Sequence, residues 1–349
     1  MESAKISIGR TELMNPIICG SGEHVMTEAG IIAALETGVA GVVAKSVNET
    51  QEAKEQLDRT DYALLDSEWN CLPWDFSGPN NATLACRSGL QTMDFESWLK
   101  IISRLDATAA DSGQFVIASL ILADLQAAVE MAKKIEGSGI RVLEFNIGTP
   151  YGDEANGIVT TERMTERVTD IVQAICRTVE IPVWVKITGQ SENVAELAEA
   201  ARQGGAEAVV LMGRFLGMIP DLDTKAPLLG TNLGTGGSWA LPMTCYWLSR
   251  SRKRIGMDTP LIGMNGVRSG KDALRMILAG AHAVEISSYV FTNGFGVLSE
   301  ALTEIEDYLQ GETETIQGLI GRAADQVSSF SNLPKRPGHW KQFAPPGSL

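Results

Sequence analysis

The sequence lacks the features that mark membrane, secreted and metal-binding proteins. It has no run of about 18 consecutive apolar residues, so we expect no transmembrane helix, and its first ten residues (MESAKISIGR) contain no apolar signal-peptide core. Only five of its 349 residues are cysteines, which are scattered without a CxxC pair, and the three histidines show no HExxH-type spacing. We therefore expect a cytoplasmic protein without a disulfide framework, zinc site or iron–sulfur cluster.

The sequence also has fewer basic than acidic residues. The chain has 29 Lys and Arg against 43 Asp and Glu, which gives a formal net charge of −14. Nucleic acids and anionic membranes attract basic proteins, so this charge argues against both as partners and leaves a small molecule. The length and the hydrophobic fraction of 44% suit a globular protein with a large core.

What the sequence does contain is a regular alternation of short apolar strands and helix-like stretches. The predicted strands are Ile17–Gly20, Gly41–Ser46, Phe115–Ile121, Val142–Gly148, Val183–Thr188, Ala208–Met212, Leu261–Met264 and Ala283–Ser287. They are apolar at successive positions, as in strands that are buried on both faces. Eight strand–helix units predict an α/β fold with a closed (β/α)8 (TIM) barrel, formed by residues 1–330 as a single domain.

Three segments depart from this alternation. A hairpin is predicted at Lys5–Pro16, before the first barrel strand. A long insertion, about residues 47–93, follows the second strand and contains Trp69 and Trp74, which favours an ordered lid or substrate wall. The proline-rich residues 331–349 are expected to form an extended tail that packs on a neighbouring subunit.

Polar residues stand at the ends of several predicted strands. A parallel barrel brings the carboxyl ends of its strands to one face, so these residues should converge: Lys45, Asn146, Thr149, Lys186 and Asn265. A buried ammonium group requires an anion or an electron-rich ligand, which makes Lys45 and Lys186 candidate site residues. Each lysine could instead form a structural ion pair, for example Lys186 with Glu144.

Small residues follow the last two predicted strands. They are Gly263–Gly266 (GMNG) and Ser287–Ser288, with the predicted glycine-rich loop Gly230–Gly237 upstream. Loops after the seventh and eighth strands of such barrels often bind phosphate, because small residues let backbone N–H groups approach it. The alternative is that these glycines only form tight turns.

The proton-transfer group is less clearly indicated. Thr149 is the hydroxyl nearest the predicted convergence, but a threonine is a weak base unless a neighbour or a water takes its proton. It could instead cap the loop. The rival acid–base candidates are Cys71, Cys86, His24, Tyr151, Asp153 and Glu154.

Taken in order, these motifs resemble the dihydroorotate dehydrogenase superfamily and its dihydropyrimidine dehydrogenase relatives. The segments that carry the resemblance are 15–22 (NPIICGSG), 42–46 (VVAKS), 143–150 (LEFNIGTP), 182–189 (PVWVKITG) and 260–288. The resemblance implies an FMN-dependent TIM barrel that interconverts CH–CH and C=C bonds by hydride transfer. It also implies a homodimer, and it leaves a separate electron-transfer subunit open.

The resemblance further implies roles for individual residues. The implied cofactor-binding residues are Gly20, Ser21, Gly22, Lys45, Ser46, Asn146, Lys186, Gly237, Asn265, Gly266, Ser287 and Ser288. The implied substrate-binding residues are Lys45, Cys86, Asn146, Tyr151 and Gly213. Lys186 would stabilise the reduced flavin, Lys45 would lie between flavin and substrate, and Thr149 stands where the family has a cysteine or serine base.

The chain also departs from the family pattern. Asn265 stands where glycine is usual, and Cys86, Tyr151 and Gly213 replace three asparagines that surround orotate. Without these asparagines, the polar edges of a bound pyrimidine would lack hydrogen-bond partners, at a cost of about 1–3 kcal/mol for each buried group. We therefore expect a cyclic or conjugated substrate other than dihydroorotate.

Two alternatives stay open at this point. One is a flavin-free, phosphate-binding lyase or isomerase in which Lys45 or Lys186 forms a Schiff base. The other is a non-catalytic relative that keeps the flavin as a structural or sensory group.

Overall fold

The computed structural model of the protein describes residues 2–148, 165–311 and 314–348. The strands are β1 (Ile6–Ile8), β2 (Thr11–Leu13), β3 (Ile17–Cys19), β4 (Gly41–Val43), β5 (Tyr62–Leu65), β6 (Cys71–Leu72), β7 (Thr83–Cys86), β8 (Phe115–Ile121), β9 (Leu143–Asn146), β10 (Val183–Lys186), β11 (Ala208–Leu211), β12 (Phe215–Gly217), β13 (Leu233–Gly237), β14 (Leu261–Met264) and β15 (Ala283–Ile286). The α-helices are α1 (Glu28–Glu36), α2 (Gln51–Glu55), α3 (Phe95–Ala110), α4 (Leu125–Gly137), α5 (Thr165–Cys176), α6 (Val194–Gln203), α7 (Leu241–Ile255), α8 (Gly270–Leu278), α9 (Ser288–Asn293), α10 (Gly296–Gln310) and α11 (Ile316–Leu319).

Eight parallel strands close into a barrel, which confirms the predicted TIM fold. Around the barrel the order is β3, β4, β8, β9, β10, β11, β14 and β15, and β15 pairs again with β3. The eight members are the strands expected from the sequence, with ends that differ by a few residues. Their residues are almost all buried, because side chains fill the barrel interior on one face and helices cover the other.

The outer helices begin where the sequence provides capping side chains. Thr27, Asp94, Asp124 and Ser269 each accept a hydrogen bond from a backbone N–H in the first turn of the helix that follows. Such caps satisfy N–H groups that have no partner within the helix. The helices then pack their apolar faces on the barrel, so the strand ends are held at fixed positions.

The insertion is ordered and forms part of a second sheet. Strands β5, β6 and β7 come from residues 62–86, and they join β12 and β13 in a five-stranded antiparallel sheet of order β12-β13-β7-β5-β6. The prediction of a glycine-rich loop over Gly230–Gly237 was wrong, because Leu233–Gly237 is strand β13. Glycine disfavours strands locally, but here the backbone of β13 pairs with both β7 and β12.

After α11 the chain stays attached to the outer helices, where the N–H groups of Gly321 and Ala323 donate to the carbonyl oxygens of Ile277 and Leu278 at 2.9 and 3.0 Å. Asp325 receives two hydrogen bonds from the Arg252 guanidinium, at 2.8 and 2.9 Å. Beyond Gln326, the described residues up to 348 make only local hydrogen bonds, and Phe330 and Phe343 are 95% and 76% exposed. In the described parts of the chain, no helix is long and apolar enough to cross a lipid bilayer.

Candidate active site

A cleft of about 1030 Å³ opens at the carboxyl ends of the barrel strands, beneath the antiparallel sheet. Most residues that the sequence singles out line this cleft: Ser21, Gly22, His24, Lys45, Ser46, Cys86, Asn146, Lys186, Gly213, Asn265, Gly266, Ser287 and Ser288. They come from strand ends and loops that are far apart in the chain. Four of the five residues expected to converge, Lys45, Asn146, Lys186 and Asn265, therefore do so.

The other predicted residues lie elsewhere. Gly20 sits just below the cleft, where its N–H donates to the Ile286 carbonyl at 2.9 Å. Gly237 lines a smaller adjoining cavity of about 330 Å³ together with Ser288. Cys71 is exposed on β6. Four candidates lie outside the described residues: Thr149, Tyr151, Asp153 and Glu154.

The floor of the cleft holds one cation between two carboxylates. Lys186 Nζ donates to Glu144 Oε1 and to Glu285 Oε2, both at 2.8 Å, and all three side chains are at least 94% buried. The ion pair between Lys186 and Glu144, considered above as an alternative, is therefore present, although Lys186 also lines the cleft. Burial alone would lower the pKa of Lys186, but the two carboxylates raise it above its usual value, so the amine is charged.

The second carboxylate of the floor was not foreseen from the sequence. Burial, together with the negative charge of Glu144, raises the pKa of Glu285 to about 8. Glu144 also accepts a hydrogen bond from Ser119 Oγ at 3.3 Å, and Ser119 contacts Ser46 at 2.8 Å. Glu285 stands inside an apolar strand (AVEI), which is the same signal that singled out the two lysines.

Lys45 belongs to a separate polar cluster at the side of the cleft. Its Nζ lies 3.2 Å from Glu23 Oε1 and donates to Ser88 Oγ at 3.2 Å. Glu23 Oε1 also accepts hydrogen bonds from Ser88 Oγ at 2.7 Å and from the Tyr62 hydroxyl at 2.8 Å. Although burial acts to raise it, Lys45 and the two hydroxyls lower the pKa of Glu23 to about 2. Tyr62 and Ser88 come from the insertion, which explains why sequence spacing could not associate them with Lys45.

His24 is a neutral group at neutral pH. Burial lowers its pKa to about 4, and its Nε2 lies 3.1 Å from the Gly20 carbonyl oxygen. Its ring contacts Phe291, and Phe291 in turn packs against Tyr62 and Trp74, with ring centroids 5.1 and 5.2 Å apart. Trp74 of the insertion thus packs on Tyr62 and Phe291, which both line the cleft.

The turn after β14 is shaped by two residues with positive φ. Asn265 has φ +66° and Gly266 has φ +94°. Glycine adopts this left-handed backbone conformation freely, and asparagine tolerates it better than most residues. Asn265 can therefore stand where the family usually has glycine. A Cβ atom on Gly266 would lie 2.3 Å from the backbone nitrogen of Leu241, so no side chain fits there. Asn265 Oδ1 is buried and has no hydrogen-bond partner among the described residues.

The cleft contains no evident metal site. Among the described residues, no three His, Cys, Asp or Glu side chains are grouped so that they could hold a metal ion. Lys45 is paired with Glu23, and Lys186 with Glu144 and Glu285, while the Arg214 guanidinium donates to Cys86 Sγ at 3.8 Å.

Comparison with known proteins gives a consistent result. A sequence model described as dihydroorotate dehydrogenase matches residues 70–309. The catalytic subunit of dihydroorotate dehydrogenase B (NAD(+)) from Methanocaldococcus jannaschii is 28% identical over 246 residues, which are 67% of this chain and 76% of that protein. The corresponding subunit from Thermoplasma acidophilum is 26% identical over 93% of this chain and 99% of its own length. Dihydroorotate dehydrogenase A (fumarate) from Lactobacillus helveticus is 32% identical over 56% of this chain and 62% of its own length.

Proposed function

The chain belongs to the dihydroorotate dehydrogenase family, and from this membership we propose that it is an FMN-dependent oxidoreductase acting on a CH–CH or C=C bond. The observation that carries the proposal is the placement of the Lys186 ammonium at the floor of the cleft. A reduced flavin carries negative charge near N1 and O2, and a fixed cation there stabilises it.

The residues around the cleft fit FMN. Gly22 and Gly266 line the cleft without presenting a side chain to it, so a ligand can approach their backbone closely. The unpartnered Asn265 Oδ1 offers a buried acceptor. Ser287 and Ser288 follow β15, where backbone N–H groups and hydroxyls suit a phosphate.

The proposed division of labour follows from the residues present. Bound FMN supplies hydride exchange with one carbon of the substrate. Lys186 would hold a positive charge beside the flavin, while Asn146 would contribute an amide to the flavin and the substrate. Thr149, or a relay that includes it, moves the proton on the adjacent carbon. The Lys45–Glu23 cluster fixes a charged group at the substrate side.

We propose a cyclic or conjugated substrate, and the names of the relatives make dihydroorotate the first compound to test. Cys86 and Gly213 line the cleft at two of the positions where the family has asparagine. A thiol is only a weak donor and acceptor and glycine has no side chain, so neither residue replaces the paired donor and acceptor of an amide. We therefore expect dihydroorotate to reduce the flavin slowly. Rapid anaerobic reduction by dihydroorotate would overturn this part of the proposal.

The ion pairs argue against the flavin-free alternative. A Schiff base requires an uncharged amine, whereas Lys186 is held between two carboxylates and Lys45 lies beside Glu23. Borohydride trapping with a candidate carbonyl substrate would reveal such an enzyme. A non-catalytic flavoprotein would instead bind FMN that no donor or acceptor reduces or reoxidises.

We also propose that the protein is a homodimer and that the tail takes part in the contact. The tail (residues 331–349) contains Lys335, Arg336 and Lys341 but no Asp or Glu, whereas the whole chain has a net charge of −14. An exposed basic tail with aromatic residues suits the acidic surface of a second copy. Truncation after residue 330 should lower the measured mass from dimer to monomer.

A second, electron-carrying subunit is a further partner to test, since two relatives are named catalytic subunits.

The experiment that tests the function uses the purified full-length protein. We expect a flavin absorbance spectrum, and release by denaturation should yield FMN at one equivalent per chain. If the protein is colourless, added FMN should restore the spectrum and photoreduction should bleach it. Protein that neither contains nor takes up FMN would overturn the proposed function.

A further inference from the structure

The floor of the cleft has an excess of negative charge. Glu144 and Glu285 both contact Lys186, and each carboxyl side chain is no more than 1% exposed. Both carboxyl groups accept a hydrogen bond from the same Lys186 Nζ, so they belong to one buried cluster. Glu144 Oε2 and Glu285 Oε1 have no hydrogen-bond partner among the described residues. With both carboxylates ionised, this buried group would carry a net charge of −1.

An uncompensated buried charge is strongly unfavourable. Two neighbouring carboxyl groups avoid this charge when they bind one proton between them, because the negative charge of the first carboxylate disfavours ionisation of the second. The raised pKa of Glu285, about 8, agrees with this arrangement.

We propose that Glu144 and Glu285 share one proton at neutral pH, and that Glu285 is thereby a positioning residue that sets the charge around Lys186. With the proton bound, the three groups are neutral together. When the proton is lost, they carry −1, and the cation that faces the flavin is overcompensated. The effect on FMN rests on the proposed function, whereas the shared proton does not.

The neighbouring strands contribute no rival titrating group in the described residues. On β3, burial and Glu285 raise the pKa of the Cys19 thiol, which stays neutral. On β8, Ser119 donates a hydrogen bond to Glu144, but its hydroxyl does not titrate. Lys45, which follows β4, forms its ion pair with Glu23 instead. On α8, Asp272 is held by ion pairs with Arg268 and Arg275, away from the cleft. The proton shared by Glu144 and Glu285 is then the one that leaves at alkaline pH.

The first test is the midpoint potential of bound FMN, measured spectroelectrochemically from acidic to alkaline pH. In the wild type the potential should fall more steeply with pH across the range in which the pair loses its proton. Glu285→Gln should remove this bend, so that its potential equals that of the wild type at acidic pH and lies above it at alkaline pH. Glu300→Gln, which removes an exposed carboxylate, should leave the curve unchanged. Curves of wild type and Glu285→Gln that stay parallel at every pH would overturn the proposal.

The second test needs no flavin and so separates the two claims. In infrared spectra of the flavin-free protein at neutral pH, the wild type should show the C=O stretch of a neutral carboxylic acid. The band should be missing in Glu285→Gln and should disappear from the wild type at alkaline pH. If Glu285→Gln does not fold, Glu144→Gln can be measured in its place, and it should lack the same C=O band. Absence of the band in the wild type would overturn the shared proton, while its presence in a protein that cannot bind FMN would overturn only the proposed function.

Discussion

Replacing Lys186 with methionine should destabilise the fold in a pH-dependent way. The substitution keeps most of the volume of the side chain but removes the cation that Glu144 and Glu285 both contact at 2.8 Å. Breaking a buried ion pair from one side costs about 3–5 kcal/mol, because the remaining charge is left uncompensated. We expect a loss in this range for Lys186→Met at pH 8.

The direction of the pH dependence follows from proton linkage. The pKa of Glu285 is already raised by burial and by Glu144, and without Lys186 it rises further above the value of about 4.3 for an unfolded glutamate. Below that value both states are protonated, and no linkage effect arises. As the pH rises, the unfolded state ionises while the folded state does not, so the folded state is progressively disfavoured. The destabilisation should therefore be smaller at pH 5 than at pH 8.

Urea unfolding followed by tryptophan fluorescence at both pH values measures this difference. Lys100→Met, which removes an exposed lysine, should change the free energy of unfolding by no more than about 0.5 kcal/mol. Adding Glu285→Gln to Lys186→Met should recover part of the loss, because one of the two stranded carboxylates is removed. A loss for Lys186→Met below about 1 kcal/mol, or one equal at both pH values, would refute the electrostatic reasoning.

Three further predictions concern the cofactor, the proton and the buried histidines. Ser288→Asp places a negative charge at the proposed phosphate end and should weaken FMN binding at least tenfold, about 1.4 kcal/mol, as measured by fluorescence titration of the flavin-free protein; unchanged affinity would move the phosphate elsewhere. Thr149→Val should slow substrate-driven flavin reduction in stopped flow while FMN stays bound, and an unchanged rate would assign the proton to Cys86 or another group. Burial lowers the pKa of both His24 and His282 to about 4, so NMR titration should find both rings neutral from pH 8 down to about pH 5; protonation of either ring near pH 6.5 would contradict this.

The barrel could be predicted because its signals are local. Each strand is a short apolar run with both faces buried, and the helices that follow begin at residues such as Thr27 and Asp94, whose capping bonds are present. The chirality and closure of such units follow from the fold class. The convergence of Lys45, Asn146 and Lys186 on one face then needed no knowledge of tertiary contacts. The assignment of residues 1–330 to one domain and of residues 331–349 to a separate tail stays a prediction.

The antiparallel sheet could not be predicted in the same way. Its strands come from two segments about 130 residues apart, and β13 (LGTGG) consists largely of glycine, which is depleted in strands. The partners of Lys45 depend on that sheet, since Tyr62 and Ser88 reach the cleft only once it has formed. Glu285 is different, because a carboxylate within an apolar strand was visible in the sequence and could have been paired with Lys186.

The most direct test of the central claim is a titration of the purified, flavin-free protein with FMN. The account predicts saturable binding of one FMN per chain, with a visible spectrum perturbed from that of free flavin and with reduction by light or dithionite. Lys186→Met should bind FMN with a lower midpoint potential, because the cation facing the flavin is gone. The absence of binding, or a bound flavin whose potential does not respond to loss of Lys186, would contradict the proposed cofactor site.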